Sequence, residues 1–339
     1  MKFRVVTQDR EDAISIYNDE VVGRLKEEAG FVHTHFDLST NYWLMDIILQ
    51  VLKSIRLILK LEGEKILLTD PKTIKAQLLA YFTANEKAIV VHHLDEDPIY
   101  FQLLPGVSIS SMLHRFDQII CISEFSRNQV RSRGICNEKI DVAYYGINHE
   151  VFSPASTESP LESDYILHVG TEIERKNIPV LLQTFKKLSQ DFKDLKLVLV
   201  GPPGTNQARE RTLKEMEDLG ITEKVVLTGR IPQSELSKYY SNAELFLFPS
   251  LLEGFGMPLV EAMACGCPVV TSDRNPMKEL TGRTQKTVNP KDLDEMVKGC
   301  REVLTNTKKR EKMIEDGKKR SKTFSWDKCA SIIYNKLLE

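Results

Sequence analysis

The chain has 339 residues, enough for two domains with full cores. Its 46 Lys and Arg nearly balance 48 Asp and Glu, which argues against a nucleic-acid partner. Six cysteines stand at 121, 136, 265, 267, 300 and 329, spaced neither as a disulfide framework nor as a C-x2-C zinc pair, and no run of 18 apolar residues is present to cross a membrane.

The start, MKFRVVTQDRED, turns charged too soon for the apolar core of a signal peptide. Thiols in no disulfide pattern suit a reducing compartment, so a cytoplasmic protein is expected. Strand-like apolar runs follow at Phe3–Val6, Phe31–Phe36, Lys65–Leu68, Ala88–Val91, Gln118–Ile122 and Ile140–Tyr144. Helical patterns fill the gaps at Glu20–Glu28, Trp43–Leu61, Ile74–Phe82, Ile109–Phe116 and Glu124–Arg133. Trp43–Leu61 is interrupted by Asp46, Lys53, Arg56 and Lys60 and reads as a helix packed on a sheet. The alternative is a basic amphipathic helix on anionic lipid, a peripheral contact with the inner face of a membrane. Ser123 is the N-cap candidate for the last helix, but Ser126 stands where a capping box has Glu or Gln. His33 and His35 share one strand face without a third ligand and read as structural. AIVVHHLDEDP, Ala88 to Pro98, puts His92 and His93 at the end of a strand, and Asp95-Glu96-Asp97 reads as a polar loop.

SPASTESPLES, within Phe152 to Asp164, is rich in Ser and Pro and reads as an interdomain linker. Alternation then restarts with strands at Tyr165–Val169, Lys196–Val200, Val225–Leu227, Leu245–Phe248 and Pro268–Thr271. Helices are expected at Ile178–Leu188, Gln207–Leu219, Gln233–Tyr240 and Pro258–Ala264, and again from Asp292 to the end. The fold class is α/β, with two Rossmann-like domains whose parallel sheets face a central cleft. The expected boundaries are 1–152, a linker 153–164, a second domain 165–318, and a closing helix 319–339.

Four motifs carry the chemistry. HVGTEIERKNI, from His168, places Arg175 and Lys176 on the loop after a strand, where two adjacent cations suit a diphosphate. VGPPGT, Val200 to Thr205, is a strand-to-loop turn without a dinucleotide fingerprint. LTGRIPQSEL brings Gly229-Arg230-Ile231-Pro232 to a turn whose backbone could meet a base edge. FPSLLEGFGMPLVEAMACGCPVV, Phe248 to Val270, holds Glu253 and Glu261 with seven residues between them, around a glycine loop at a helix start. Two carboxylates beside bare helix amides suit a ligand with both hydroxyls and phosphates.

This series, with CISEFSRNQVRSRG and YYGINHEVFSP before the linker, resembles the retaining glycosyltransferases of family 4, the group 1 glycosyl transferases. The resemblance covers Gln118 to Val288. It implies a GT-B fold, a closing helix at 319–339 that packs back toward the first domain, and a hexosyltransferase-like enzyme that moves a sugar from a nucleotide-diphosphate sugar to an acceptor the motifs do not name. It implies that Glu253 meets the donor sugar, that Arg175 and Lys176 neutralise the departing diphosphate, and that His92 lies near the reacting sugar. Donor contacts would come from Gly170, Arg230, Ile231, Gly254, Phe255, Gly256, Met257, Leu259 and Glu261, the last holding the ribose. His93 stands where Asp is common and is an acceptor-side candidate. No metal and no cofactor are required, because the two cations can do the neutralising. Two departures bear on the acceptor side. No glycine-rich loop follows the first strand, and Thr171 stands where arginine is frequent. The rival readings are a GT-B sugar-nucleotide epimerase and a catalytically silent nucleotide-sugar-binding partner protein. The motifs name no oligomeric state.

Overall fold

The computed structural model describes residues 3–8, 19–21, 23–25, 31–36, 65–68, 87–92, 108–154 and 158–338. The expected helices at Trp43–Leu61 and Ile74–Phe82 lie outside these residues, as do His93 and Asp95 to Asp97. The chain divides into two compact units, Met1–Gly146 with Ser325–Glu339, and Ile147–Phe324.

The first unit is built on six parallel strands: β1 (Phe3–Gln8), β2 (Phe31–Phe36), β3 (Lys65–Leu68), β4 (Lys87–Val91), β5 (Gln118–Cys121) and β6 (Ile140–Val142). Their order is β2-β1-β3-β4-β5-β6. In register, Val91 faces Cys121 and Cys121 faces Val142. Ala88 to Val91 are all buried, the continuous apolar run that a strand covered on both faces requires. Helices α1 (Ile109–Leu113) and α2 (Glu124–Arg131) flank β5. Both open with a reciprocal capping box, against the sequence expectation for α2. The Ser123 side chain accepts from the Ser126 amide, and Ser126 Oγ accepts from the Ser123 amide at 3.1 Å. A serine hydroxyl at N3 therefore does what the longer Glu or Gln side chain usually does.

The second unit carries β7 (Tyr165–Val169), β8 (Lys196–Val200), β9 (Val225–Gly229), β10 (Leu245–Phe248), β11 (Val269–Ser272) and β12 (Lys286–Val288). Helices α3 (Ile178–Asp191), α4 (Asn206–Asp218), α5 (Gln233–Asn242) and α6 (Met257–Ala264) alternate with them. After β11 come α7 (Met277–Thr281), α8 (Leu293–Thr305) and α9 (Thr307–Ser321). The parallel sheet runs β12-β11-β10-β7-β8-β9. Read from β9, the strands follow the Rossmann order 3-2-1-4-5-6, so the direction of winding reverses between β7 and β10. Ligands of such sheets bind outside the carboxyl ends of the strands at that point. The core explains why α3 forms there: Leu181, Leu182, Phe185 and Leu188 lie on one helical face and are fully buried with Ile166, Leu197 and Leu247.

The closing helix α10 (Trp326–Leu338) belongs to the first unit. Trp326 packs against Tyr145 with ring centroids 5.5 Å apart. The Cys329 thiol lies 3.9 Å from the Ala143 carbonyl. All six cysteines are free thiols, and five of them are buried. Among the described residues no helix is long and apolar enough to cross a membrane.

Candidate active site

The two motif loops of the second unit emerge at the carboxyl ends of β7 and β10, on either side of the switch point. After β7 the chain passes Gly170 and a short 3-10 turn, Glu174–Lys176, before α3 begins. Asn177 takes a left-handed conformation at φ 57°. Its side-chain amide donates to the Pro249 carbonyl at 3.2 Å and the Pro290 carbonyl at 2.8 Å. The Leu251 amide donates to the Arg175 carbonyl at 2.7 Å. The bonds to Pro249 and from Leu251 tie the β7 loop to the β10 loop, and the bond to Pro290 ties it to the segment after β12, so the two motif loops are anchored to each other.

Between the loops lies an ionic cluster. Glu253 accepts from Lys176 Nζ at 2.7 Å through Oε1 and from Arg175 at 2.5 Å through Oε2. Glu253 and Lys176 are each 6% exposed, whereas the Arg175 side chain is 43% exposed. The Lys176 ammonium also sits over the Phe248 ring, 4.5 Å from its centroid. Burial works against the charge on Glu253, but the Lys176 and Arg175 cations together outweigh it and hold the carboxyl below its ordinary range. Burial, the larger influence on Lys176, pulls its ammonium below the usual lysine value against the attraction of Glu253. The cluster thus carries two cations on one carboxylate, an excess of one positive charge at the mouth of the switch point.

Glu261 sits one turn into α6. The helix starts at Gly256, where φ is 109° and a side chain would be strained. The Leu259 amide donates back to the Gly256 carbonyl at 3.0 Å, and Pro258 has no amide to give, so Met257 supplies the first-turn N–H. Phe255 is buried edge-on to Phe324, and Gly254 is partly exposed. Leu259 is fully buried in the packing of α6. Glu261 is 6% exposed and accepts from Tyr240 Oη at 2.9 Å. Burial raises its pKa to about 7, while the Tyr240 hydrogen bond and Lys176 pull the other way.

That raised value fixes the sign of a stability effect. The folded carboxyl holds its proton to a higher pH than the unfolded one, so ionising Glu261 costs stability as pH climbs from the ordinary carboxylate range through about 7. Glu261→Gln keeps the shape without the charge. It should melt at a higher temperature than the parent at pH 8 and match it near pH 5, as read by thermal unfolding at the two pH values. An equal or lower melting temperature at pH 8 would contradict the raised value.

The GPPG loop supports this site without entering it. A side chain on Gly201 would come within 2.2 Å of the Gly170 carbonyl oxygen, so only glycine lets the β8 loop approach the β7 loop this closely. The Gly170 amide donates to the Val200 carbonyl and the Gly201 amide to the Gly229 carbonyl, at 2.9 and 2.8 Å, which links three successive strand ends. Arg230 is exposed and Ile231 partly exposed on the turn after β9, the third of these loops.

His92 is placed in the first unit, 3% exposed, with Nδ1 hydrogen-bonded to the Tyr145 hydroxyl. The other described site residues all belong to the second unit. Two residues of the site carried no signal in the motifs. Tyr240 reads only as an apolar position of α5. His168 reads only as part of a strand, yet it is fully buried, donates Nδ1–H to the Leu247 carbonyl at 3.0 Å, and is driven by burial to a pKa of about 4, hence neutral. Among the described residues no group of three or more His, Cys, Asp or Glu is placed to hold a metal ion.

Residues 152–320 match the family model described as Glycosyl transferases group 1. That half of the chain belongs to the group 1 glycosyl transferases. The matched stretch falls within the second unit and contains Arg175, Lys176, Glu253 and Glu261. The O-antigen chain mannosyltransferase B of Escherichia coli is 29% identical over 239 residues, 67% of this chain and 62% of that protein. The chain thus spans less than two thirds of that relative's length. The Campylobacter jejuni N-acetylgalactosamine-N,N'-diacetylbacillosaminyl-diphospho-undecaprenol 4-alpha-N-acetylgalactosaminyltransferase is 27% identical over 283 residues, 80% of this chain and 75% of that protein. The crystal structure of Anabaena HepE with UDP and glucose matches with a TM-score of 0.80 at 16% identity, covering 100% of both chains. The fold is therefore GT-B, two Rossmann-like domains in one chain, each here built on its own six-stranded parallel sheet.

Proposed function

We propose that the chain is a retaining glycosyltransferase that takes a sugar from a nucleotide-diphosphate donor and passes it to an acceptor hydroxyl. The observation that carries this reading is the pairing of Arg175 and Lys176 with Glu253 at the carboxyl ends of β7 and β10, with Glu261 in the helix that follows. A group 1 glycosyl transferase family match over the same residues supports it, as do relatives named for mannosyl and N-acetylgalactosaminyl transfer.

In this reading the donor diphosphate draws Arg175 and Lys176 from Glu253. The bond between the anomeric carbon and the diphosphate oxygen breaks, and its electron pair leaves on phosphate. The acceptor oxygen forms the new bond on the same face and gives up its proton to the leaving group. The two cations are already aimed where that charge grows, which is the kind of fixed electrostatic support that lowers such barriers most. Glu253, released from part of its ion pairing, accepts hydroxyls of the donor sugar, and Glu261 accepts those of the ribose. The Met257 amide faces the diphosphate or sugar, and the main chain at Arg230 and Ile231 meets the base. One relative is named for transfer onto a diphospho-undecaprenol-linked sugar, which supports a lipid-linked glycan as acceptor and work at a membrane surface.

A panel of GDP-mannose, UDP-glucose, UDP-N-acetylglucosamine and UDP-N-acetylgalactosamine tests this reading. One donor should be split to nucleoside diphosphate, and proton NMR of the earliest released sugar should show the donor's α configuration. EDTA should leave the rate within about twofold, since cations of the chain replace a metal. Inverted product would remove retention, and splitting of no donor in the presence of mixed glycan and lipid-linked acceptors would remove transfer.

A further inference from the structure

The ribose contact assigned to Glu261 depends on a carboxylate that the fold makes expensive. It lies in a helix that is buried all round, with Leu259, Val260, Ala262 and Met263 buried on every side of it. Tyr240 is fully buried beside it, 21 residues earlier in the chain. The Tyr240 ring is clamped edge-on by Phe246 at 5.4 Å and by Phe152 at 6.3 Å, so its hydroxyl has one fixed direction. That direction ends on Glu261 Oε2 at 2.9 Å. Among the described residues no second side-chain hydrogen bond reaches Glu261, which leaves its other oxygen for a ligand. We propose that Tyr240 is a positioning residue for the donor site: its hydroxyl holds the Glu261 carboxylate turned toward a ribose diol. This rests on the reading of Glu261 as the ribose contact.

The chemistry gives the arrangement a distinctive signature. A phenol donates to a carboxylate but has little to gain from a protonated acid turned the same way. Losing the phenol therefore weakens the ionised form of Glu261 more than the neutral one. The groups acting on its charge are Tyr240 from α5, Lys176 from the loop after β7 and Cys265 at the end of its own helix. The nearby cations of α9 engage elsewhere: Lys318 lies over Gly266, and Arg320 donates to the carbonyls of Leu280 and Glu279. A ribose diol needs the ionised form as acceptor, so donor affinity should fall as pH drops through the titration of Glu261.

Calorimetric titration of UDP and GDP, each with its 2′-deoxy counterpart, from pH 5.5 to 8.5 tests the proposal. The parent should bind one nucleotide more tightly above about pH 7, and should prefer the ribose form over the deoxy form. Tyr240→Phe should lose most of that preference, bind about tenfold more weakly at pH 7, and move the pH midpoint upward by about one unit. Site-specific Tyr240→3-fluorotyrosine, which keeps the ring and donates more strongly, should move the midpoint downward and keeps the test open if the phenylalanine variant does not fold. A folded Tyr240→Phe with unchanged midpoint and unchanged ribose preference overturns the proposal, as does a 3-fluorotyrosine variant whose midpoint does not move. A parent that binds neither nucleotide at any pH would instead overturn the donor-site reading on which the proposal rests.

Discussion

Glu253→Gln should lower the rate of sugar transfer by at least about 100-fold, the size of effect seen when one fixed transition-state contact is removed. The amide keeps the volume and one acceptor oxygen, so the loss reports charge and not shape. The variant should also lose stability, because Lys176 is then a buried ammonium without its carboxylate. Breaking a buried pair by removing one partner costs on the order of 3–5 kcal/mol. The Arg175 side of the pair adds less, because that guanidinium is 43% exposed and water screens it. Turnover measured below the melting transition separates the two effects. A folded Glu253→Gln variant with near-parental rates would remove Glu253 from the chemistry.

Lys176→Met should weaken nucleoside diphosphate binding by about 100-fold, since a desolvated cation at a phosphate contributes roughly 2–5 kcal/mol when its partner would otherwise stay buried and unpaired. Methionine can keep the aliphatic stem of Lys176 against the Phe248 ring, so packing is largely retained. Stability should follow a non-additive pattern. Each single variant leaves one buried charge poorly matched, whereas the double variant Lys176→Met with Glu253→Gln removes both charges and should recover most of the loss. Chemical denaturation of the four proteins measures the coupling. Additive losses would mean that Lys176 and Glu253 do not sense each other, contrary to their 2.7 Å contact.

The donor half of the site was legible because its signals are local. The apolar run Leu245–Phe248, the glycines at 254 and 256, Pro258 and the two glutamates all lie within one strand-loop-helix unit, and each has one sensible place in it. Arg175 and Lys176 were legible as a cationic loop after a strand, but the burial of Lys176 was not. An Arg-Lys dipeptide normally points into water, and here a partner 77 residues downstream draws the lysine inward over Phe248. Tyr240 was hidden for the same reason: its partner lies in another helix, and an apolar position of α5 gives no hint of a hydroxyl with a task. The serine capping box of α2 escaped because the pattern sought was Glu or Gln at N3, whereas geometry asks only for an oxygen that can reach the capping amide. For His92 the strand end was legible, while its burial on Tyr145 is a long-range contact that spacing does not encode.

The most direct test is a crystal structure of the chain grown with the donor that it splits. The diphosphate oxygens should lie ~3 Å from Arg175 and Lys176 at the carboxyl ends of β7 and β10, with the ribose hydroxyls on Glu261 and sugar hydroxyls on Glu253. A nucleotide bound anywhere else, with Arg175 and Lys176 still engaged only by Glu253, would contradict the account.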